Sequence, residues 1–352
     1  MTVRVVDRRA PVHPQVATER LGWHDHGAMK AAHVTAPGRI SVVEVDEPQA
    51  KADHAVIRPE IVSICGSDLK SVYTLPADEY PLVPGRSGHE IIGVVEEVCC
   101  GSKARVPFEA GERVLALPAA QDGMAERFVT PVDRVFPVPE HPIEHMVMAQ
   151  PLATVISGMQ KLTNVIAGDV VVIGQGGIGL MFDTLLRRMG ARRVVGVELM
   201  PARRKVAERF GATHVVDGTA GEVTDRIADA LDGGLADTVI DATGEPEAIN
   251  LCAQVVRSRG EILFFGGLKE RTFTFDFFSF HSKQPQTRFS GAGGRTLFEL
   301  AIDLIAHGQV SVDGIITHRF PLADVAQAYD TAHIRAHDCI RVAVDPDCKE
   351  SP

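Results

Sequence analysis

From about residue 151 the chain alternates short, fully apolar runs with segments whose apolar residues return every three or four positions. The runs are Val170-Val171-Val172-Ile173, then 194–197, His214-Val215-Val216, Thr238-Val239-Ile240-Asp241 and Ile262-Leu263-Phe264-Phe265. Helical patterns over 179–189, 202–210, 223–231 and 247–256 separate them. Strands apolar on both faces, alternating with amphipathic helices, predict a parallel sheet covered on both sides, the doubly wound α/β arrangement. Upstream, 29–34, 40–45, 55–63, 91–98, 113–117 and 126–130 are short β-type runs broken by Gly and Pro. They predict an irregular, barrel-like β domain. One more helix, 297–307, and short C-terminal strands are expected to return to that first domain. The predicted organisation is therefore an extension over 1–28, a β-rich domain from 29–151 plus 293–352, and a doubly wound domain over 152–292.

A chain of 352 residues accommodates two such domains, and 45% hydrophobic with 23% charged residues is a globular composition. The net charge of −10, one Trp, three Tyr and the lack of a basic run argue against a nucleic-acid partner. No apolar stretch is long enough to cross a bilayer, and 1–28 has no apolar core of a secretory signal. Six scattered cysteines form neither a disulfide framework nor a zinc knuckle, so a cytoplasmic setting is expected. Trp23-His24-Asp25-His26 in the extension is read as a solvated segment rather than a metal site.

Gly174-Gln175-Gly176-Gly177-Ile178-Gly179 follows a buried-type strand and opens a helix, the context a dinucleotide-binding loop requires. Gly174 permits the tight turn, Gly176 lets the backbone approach a pyrophosphate, and Gly179 allows close helix–strand packing. The helix N-terminus supplies free N–H groups and partial positive charge to the phosphates. Glu198, 19 residues beyond Gly179, ends the next strand, where its carboxylate can accept from the adenosine ribose hydroxyls. The same charge repels a 2′-phosphate and favours NAD over NADP. Arg203 and Arg204 are read first as a solvated helix face, although a cation there could hold that phosphate.

Cys65-Gly66-Ser67-Asp68 and Gly88-His89-Glu90, placed ahead of this unit, resemble the zinc-dependent medium-chain alcohol/polyol dehydrogenases. The resemblance runs from Met29 to about Val344. It takes in Pro84-Gly85-Arg86-Ser87, Ala110-Gly111-Glu112-Arg113-Val114, Gly123-Met124-Ala125-Glu126 and Ile316-Thr317-His318-Arg319-Phe320-Pro321-Leu322. It implies a GroES-like catalytic domain joined to a Rossmann domain. It also implies hydride transfer between an alcohol or ketone substrate and NAD(P), and a homodimer or homotetramer. Residue by residue, it implies Cys65 and His89 as ligands of a single catalytic zinc, with Ser67 hydrogen-bonding the reacting alcohol. Glu90 becomes a carboxylate beside the metal or a transient ligand, Thr154 lies near nicotinamide, and Arg341 reaches the pyrophosphate.

Three departures bear on this. Gln150 stands at the third ligand position, where a neutral amide offsets none of the dication's charge. Zinc is then held by Cys65, His89 and Glu90 with water, or held weakly, or absent. Lys70 replaces a relay histidine and would serve if burial or nearby zinc depressed its pKa; otherwise it is an exposed lysine. The lobe of four cysteines for a structural zinc is missing, because only residues 115–122 separate Arg113-Val114 from Gly123-Met124. His318 is expected to be structural, and His281, in the Phe-rich stretch 273–280, to serve packing or subunit contact. The leading reading is a dehydrogenase of a polyol, sugar or cyclitol-like secondary alcohol. Alternatives are a zinc-independent reductase of a carbonyl or enone, an isomerase with tightly held NAD, and a non-redox protein whose dinucleotide is structural.

Overall fold

The computed structural model describes residues 27–99, 106–219, 221–268, 272–290, 293–334 and 338–346. The readings made for 1–26, including Trp23-His24-Asp25-His26, lie outside these residues. The N-terminal half is built from β1 (Ala28–Ala36), β2 (Arg39–Asp46), β3 (His54–Ser63), α1 (Gly66–Tyr73), β4 (Glu90–Cys99), β5 (Arg113–Ala116), β6 (Phe128–Pro131) and β7 (Val135–Pro137). Two helices, α2 (Ile143–Met146) and α3 (Ala149–Met159), lead out of it. The doubly wound part runs β8 (Asp169–Ile173), α4 (Gly177–Arg188), β9 (Arg193–Glu198), α5 (Pro201–Ala207), β10 (His214–Asp217), α6 (Val223–Ala230), β11 (Ala236–Asp241), α7 (Pro246–Val255), β12 (Val256–Phe264), α8 (Phe277–Lys283) and β13 (Gln286–Phe289). The chain closes with α9 (Arg295–Ala306), β14 (Ile316–Pro321), α10 (Val325–Ile334) and β15 (Arg341–Asp345).

β8 to β13 form one parallel sheet in the order β10-β9-β8-β11-β12-β13. Every residue of β8 is buried, as its apolar sequence demands of a central strand under helices on both faces. The strand order reverses between β8 and β11, which places the loops after both strands at the switch point where such sheets bind ligands. The second sheet runs β14-β15-β3-β4-β5-β7, with β6 also on β3. β15 pairs antiparallel with β3, Ala343 opposite Ser63, so the last strands of the chain complete the sheet begun by the first. One continuous apolar cluster joins Ile61, Ile92 and Leu115 of this sheet to Leu152 of α3 and to Val172 and Leu180 beneath the parallel sheet. Among the described residues no helix is long and apolar enough to cross a membrane.

The fold class is the expected α/β, a β-rich domain joined to a doubly wound parallel sheet. The strand predicted over 262–265 is longer, and α4 begins at Gly177 rather than Gly179. Residues 208–210 form a separate 3-10 turn ended by Gly211 at φ 116°. β13 carries no apolar periodicity because it is the sheet's edge, with Gln286, Thr287 and Phe289 exposed.

The glycine loop is steric in origin at two positions. Gly174 has φ 93°, a region side chains rarely occupy. A Cβ on Gly179 would stand 1.9 Å from the Gly174 carbonyl oxygen, which is backbone and cannot yield. Gly179→Ala is therefore expected to cost about 3 kcal/mol, the upper range of overpacking, and to abolish dinucleotide binding. Urea denaturation and cofactor titration check both effects.

Candidate active site

Strand pairing assembles one end of this site from three distant segments. Ser63, the last residue of β3, pairs with Glu90, the first of β4, and on its other side with Ala343 of β15. Cys65 lies just past the end of β3, His89 just before β4, and Arg341 opens β15. The ligand atoms of Cys65, His89 and Glu90 lie within 4.8 Å of one another. A thiol, an imidazole and a carboxylate at this spacing form a donor set that fits zinc.

Asp68 organises the cluster, and sequence reasoning assigned it no role. Cys65 N-caps α1, and Asp68 on the first turn takes the Cys65 N–H at 2.8 Å, closing a capping box. The same buried carboxylate accepts the Gly88 N–H at 2.9 Å and faces His89 Nδ1 at 3.2 Å. With Nδ1 held there, Nε2 is the nitrogen left for a metal. Burial alone would raise the Asp68 pKa, but His89 and the two amides outweigh it and lower it. For His89, burial pulls downward while Asp68 and Cys65 prevail and push its pKa up to about 11. The signal for Asp68 was present as an acid three residues after a cysteine at a helix start.

Glu90 and Arg341 form a buried ion pair at 2.6 Å, with side chains 1% and 7% exposed. Burial lowers the Arg341 pKa, and Glu90 with Cys65 raises it by more. The Arg341 stem passes the start of α4: a Cβ on Gly177 would lie 3.6 Å from its Cδ. Arg341 thus spans from the Cys65, His89 and Glu90 cluster to the glycine loop. Behind the cluster, Ser87, at φ 105°, hydrogen-bonds the buried Tyr329 hydroxyl.

At the glycine loop, Gly176 N-caps α4, Gly177 opens it, and Ile178 packs against the core. The Glu198 carboxylate accepts from three backbone amides: Gln175 at 2.8 Å on one oxygen, Leu199 and Met200 at 2.8 and 2.9 Å on the other. A carboxylate has about four acceptor sites, so one remains toward a ribose hydroxyl. Arg203 donates to the Cys339 carbonyl and lies beside Gly176. Arg204 pairs with Asp217 and donates to two carbonyls. From β11, Asp241 accepts from Thr243 and Gly244 and props Thr243 against Gly174.

The other expected residues lie on α1, α3, α8 and β14. Ser67 and Lys70 on α1 are exposed, so burial, one of the two conditions set for a relay through Lys70, is not met. Gln150 is half-buried in the first turn of α3, two residues after Met148, whose sulfur contacts Arg341. Thr154, one turn on, donates to the Pro151 carbonyl at 2.7 Å. His318 sits on β14 against Thr317 and Asp338, and His281 is exposed beside Phe277.

Both halves of the chain match known domain families. Residues 51–140 match the alcohol dehydrogenase GroES-like domain, and residues 177–307 match the zinc-binding dehydrogenase domain. D-arabitol-phosphate dehydrogenase of Enterococcus avium is 25% identical over 86% of this chain and 94% of its own. L-galactonate-5-dehydrogenase of Escherichia coli (strain K12) is 28% identical over 82% of this chain and 91% of its own. A solved zinc-binding dehydrogenase from Sinorhizobium meliloti 1021, bound to NADP, superposes with TM-score 0.79 at 26% identity, covering 91% of this chain and all, 100%, of that one. The fold and site thus define a medium-chain dehydrogenase, and the chain belongs to the zinc-type alcohol/polyol dehydrogenases of that family. It is an NAD(P)-dependent alcohol dehydrogenase acting on a CH–OH group.

The Asp68–His89 pair predicts a pH dependence for metal-free protein. A histidine whose folded pKa is raised from 6.5 to about 11 contributes stability below 6.5 that is lost as pH rises through about 11. Asp68, whose pKa is lowered, contributes stability above its ordinary 3.8 that is lost under stronger acid. Melting curves of metal-stripped protein from pH 6 to 11 should fall across that window, and those of Asp68→Asn should be nearly flat. The same substitution should weaken zinc about 10- to 100-fold.

Proposed function

We propose that the protein oxidises a polyol- or sugar-type secondary alcohol with NAD, using one catalytic zinc held by Cys65, His89 and Glu90. The observation that carries this reading is the convergence of those three donors beside a residue, Arg341, that also borders the glycine loop. The substrate class is supported by the relatives that act on arabitol phosphate and galactonate. When bound, zinc supplies Lewis acidity to the substrate oxygen. Asp68 keeps the His89 ring oriented and its Nε2 free. Ser67, exposed at the start of α1, hydrogen-bonds the reacting hydroxyl and passes its proton toward solvent, with Lys70 on the same helix. Thr154 lines the nicotinamide end, and Arg341 exchanges between Glu90 and the pyrophosphate. Gln150 neighbours the metal without supplying charge.

NAD is favoured because the Glu198 charge is pinned at the end of β9 by three amides. A 2′-phosphate would meet that charge and would have to draw Arg203 and Arg204 from partners they already hold. Free thiols at Cys65, Cys99, Cys252 and Cys339 support a reducing, cytoplasmic setting.

Metal analysis before and after chelation tests the zinc reading. Purified protein should hold one zinc per chain, and stripping it should remove activity that added zinc restores. Undiminished turnover of metal-free protein would instead favour the zinc-independent reductase. Gln150→Glu should tighten zinc by roughly tenfold or more, since it adds a negative charge beside the dication.

The assembly we propose is a homodimer formed through the outer edge of β13. Phe289 of β13 is 65% exposed, Phe277 and Phe278 of α8 are 68% and 79% exposed, and among the described residues no strand pairs with the outer side of β13. Such an edge is ordinarily covered. Sedimentation should show a dimer for the native chain and a monomer for Phe278→Asp combined with Phe289→Asp.

A further inference from the structure

Gln175, the second residue of the glycine loop, turns its side chain into the protein. Its Nε2 donates to the Val172 carbonyl at 3.2 Å, and its amide lies flat over Gly196 of β9, where a Cβ would approach it to 2.8 Å. The side chain is fully buried, and among the described residues no donor reaches its Oε1. Beside it stands Asp183, on the second turn of α4, also 0% exposed; the Gln175 side chain is its polar neighbour, and among the described residues no donor reaches either carboxylate oxygen in full hydrogen-bond geometry.

An ionised Asp183 would leave three buried acceptor oxygens, its own two and Gln175 Oε1, without a proton among them. A neutral carboxyl has one O–H, which is the donor the Gln175 oxygen lacks. Charges on the surrounding elements are committed elsewhere. Arg187 serves the Ala191 and Arg192 carbonyls, Arg188 serves Gly308, and Arg209 serves Asp313. Asp169 at the far end of β8 pairs with Arg192 and Arg193, Glu198 takes the loop amides, Glu208 is exposed, and α3 carries no charge. Burial pushes the Asp183 carboxyl well above the usual carboxylate range, and Gln175 offsets part of that.

We propose that Asp183 remains a neutral carboxylic acid and donates its proton to the Gln175 side chain, holding the glycine loop in the shape that receives the dinucleotide. Asp183 is then a positioning residue acting through Gln175, eight positions earlier. The proposal rests on the reading that the cofactor binds at this loop.

Two measurements test it. The first is NADH affinity, with steady-state KM and kcat, for wild type, Asp183→Ala and Asp183→Asn. The alanine variant should raise Kd and KM for cofactor about tenfold, the worth of one buried hydrogen bond, with alcohol KM and kcat within about twofold. The asparagine variant, neutral and able to donate, should restore cofactor affinity. Unchanged affinity in the alanine variant, or equal loss in both variants, would overturn the proposal. The second compares the urea stability of wild type and Asp183→Asn from pH 5 to 9 without cofactor, and stands even if the alanine variant does not fold. A native state that keeps a proton the unfolded chain releases above about pH 4 loses stability as pH rises. The advantage of Asp183→Asn should therefore grow up to tenfold in folding equilibrium constant per pH unit. Parallel curves would show that Asp183 is ionised and end the proposal. If wild type binds neither NADH nor NADPH, the dehydrogenase reading itself fails, a result distinct from these.

Discussion

Strand β3 is hydrogen-bonded to β4 on one side and to β15 on the other, and the functional geometry follows from that pairing. Cys65, Glu90 and Arg341 are separated by up to 276 positions, yet each lies at the end of one of three adjacent strands. A slip of one residue in the β3–β4 ladder would turn Glu90 to the opposite face of the sheet, and one in the β3–β15 ladder would do the same to Arg341. Apolar residues on this strand pair enter two cores, Ile61 and Ile92 one and Val62 and Ile91 the other, and hold the strands in place. Hydrophobic packing thereby fixes the position of polar chemistry.

The polar cluster would be costly without its internal balance. Asp68, Glu90 and Arg341 are all buried, and removing one partner of such a pair typically costs ~3–5 kcal/mol. Asp68 is answered by two amides and an imidazole, and Glu90 by a guanidinium. The loop from Gly85 to Gly88 contributes by geometry: three of its residues, Gly85, Ser87 and Gly88, have positive φ, which aims the Gly88 amide at Asp68. Arg341 ties the two halves of the site together, since its stem and head group face different ligands.

The parallel sheet and the glycine loop were legible because each rests on local pattern, apolar runs and glycine spacing, whereas Cys65, His89 and Glu90, which the fold brings together, were named only through the family resemblance. What was not legible depends on partners far along the chain. Arg341 was expected at the pyrophosphate, and nothing in the sequence around it announces its bond to Glu90. Glu198 was identified as the acidic residue at the end of β9, but the three amides that bind it come from loop conformation. Asp183 sits inside an ordinary amphipathic helix, where an acid reads as solvent-facing until the fold shows it is not. Edge strand β13 escaped notice because an edge imposes little apolar periodicity on its sequence.

The return of β14 and β15 to the first sheet also has a bearing on synthesis. Domains form from the N-terminus as the chain emerges at about 5–20 residues per second. The Rossmann sheet is complete once β13 has left the ribosome, whereas β3 lacks one neighbour until β15 follows. During that interval the edge of β3 and the thiol of Cys65 stand without the strand and the arginine that enclose them. The nascent protein can therefore hold a finished cofactor fold, with Cys65, His89 and Glu90 already made, before Glu90 has its arginine, and a message cut short before Arg341 would leave that buried carboxylate without its guanidinium.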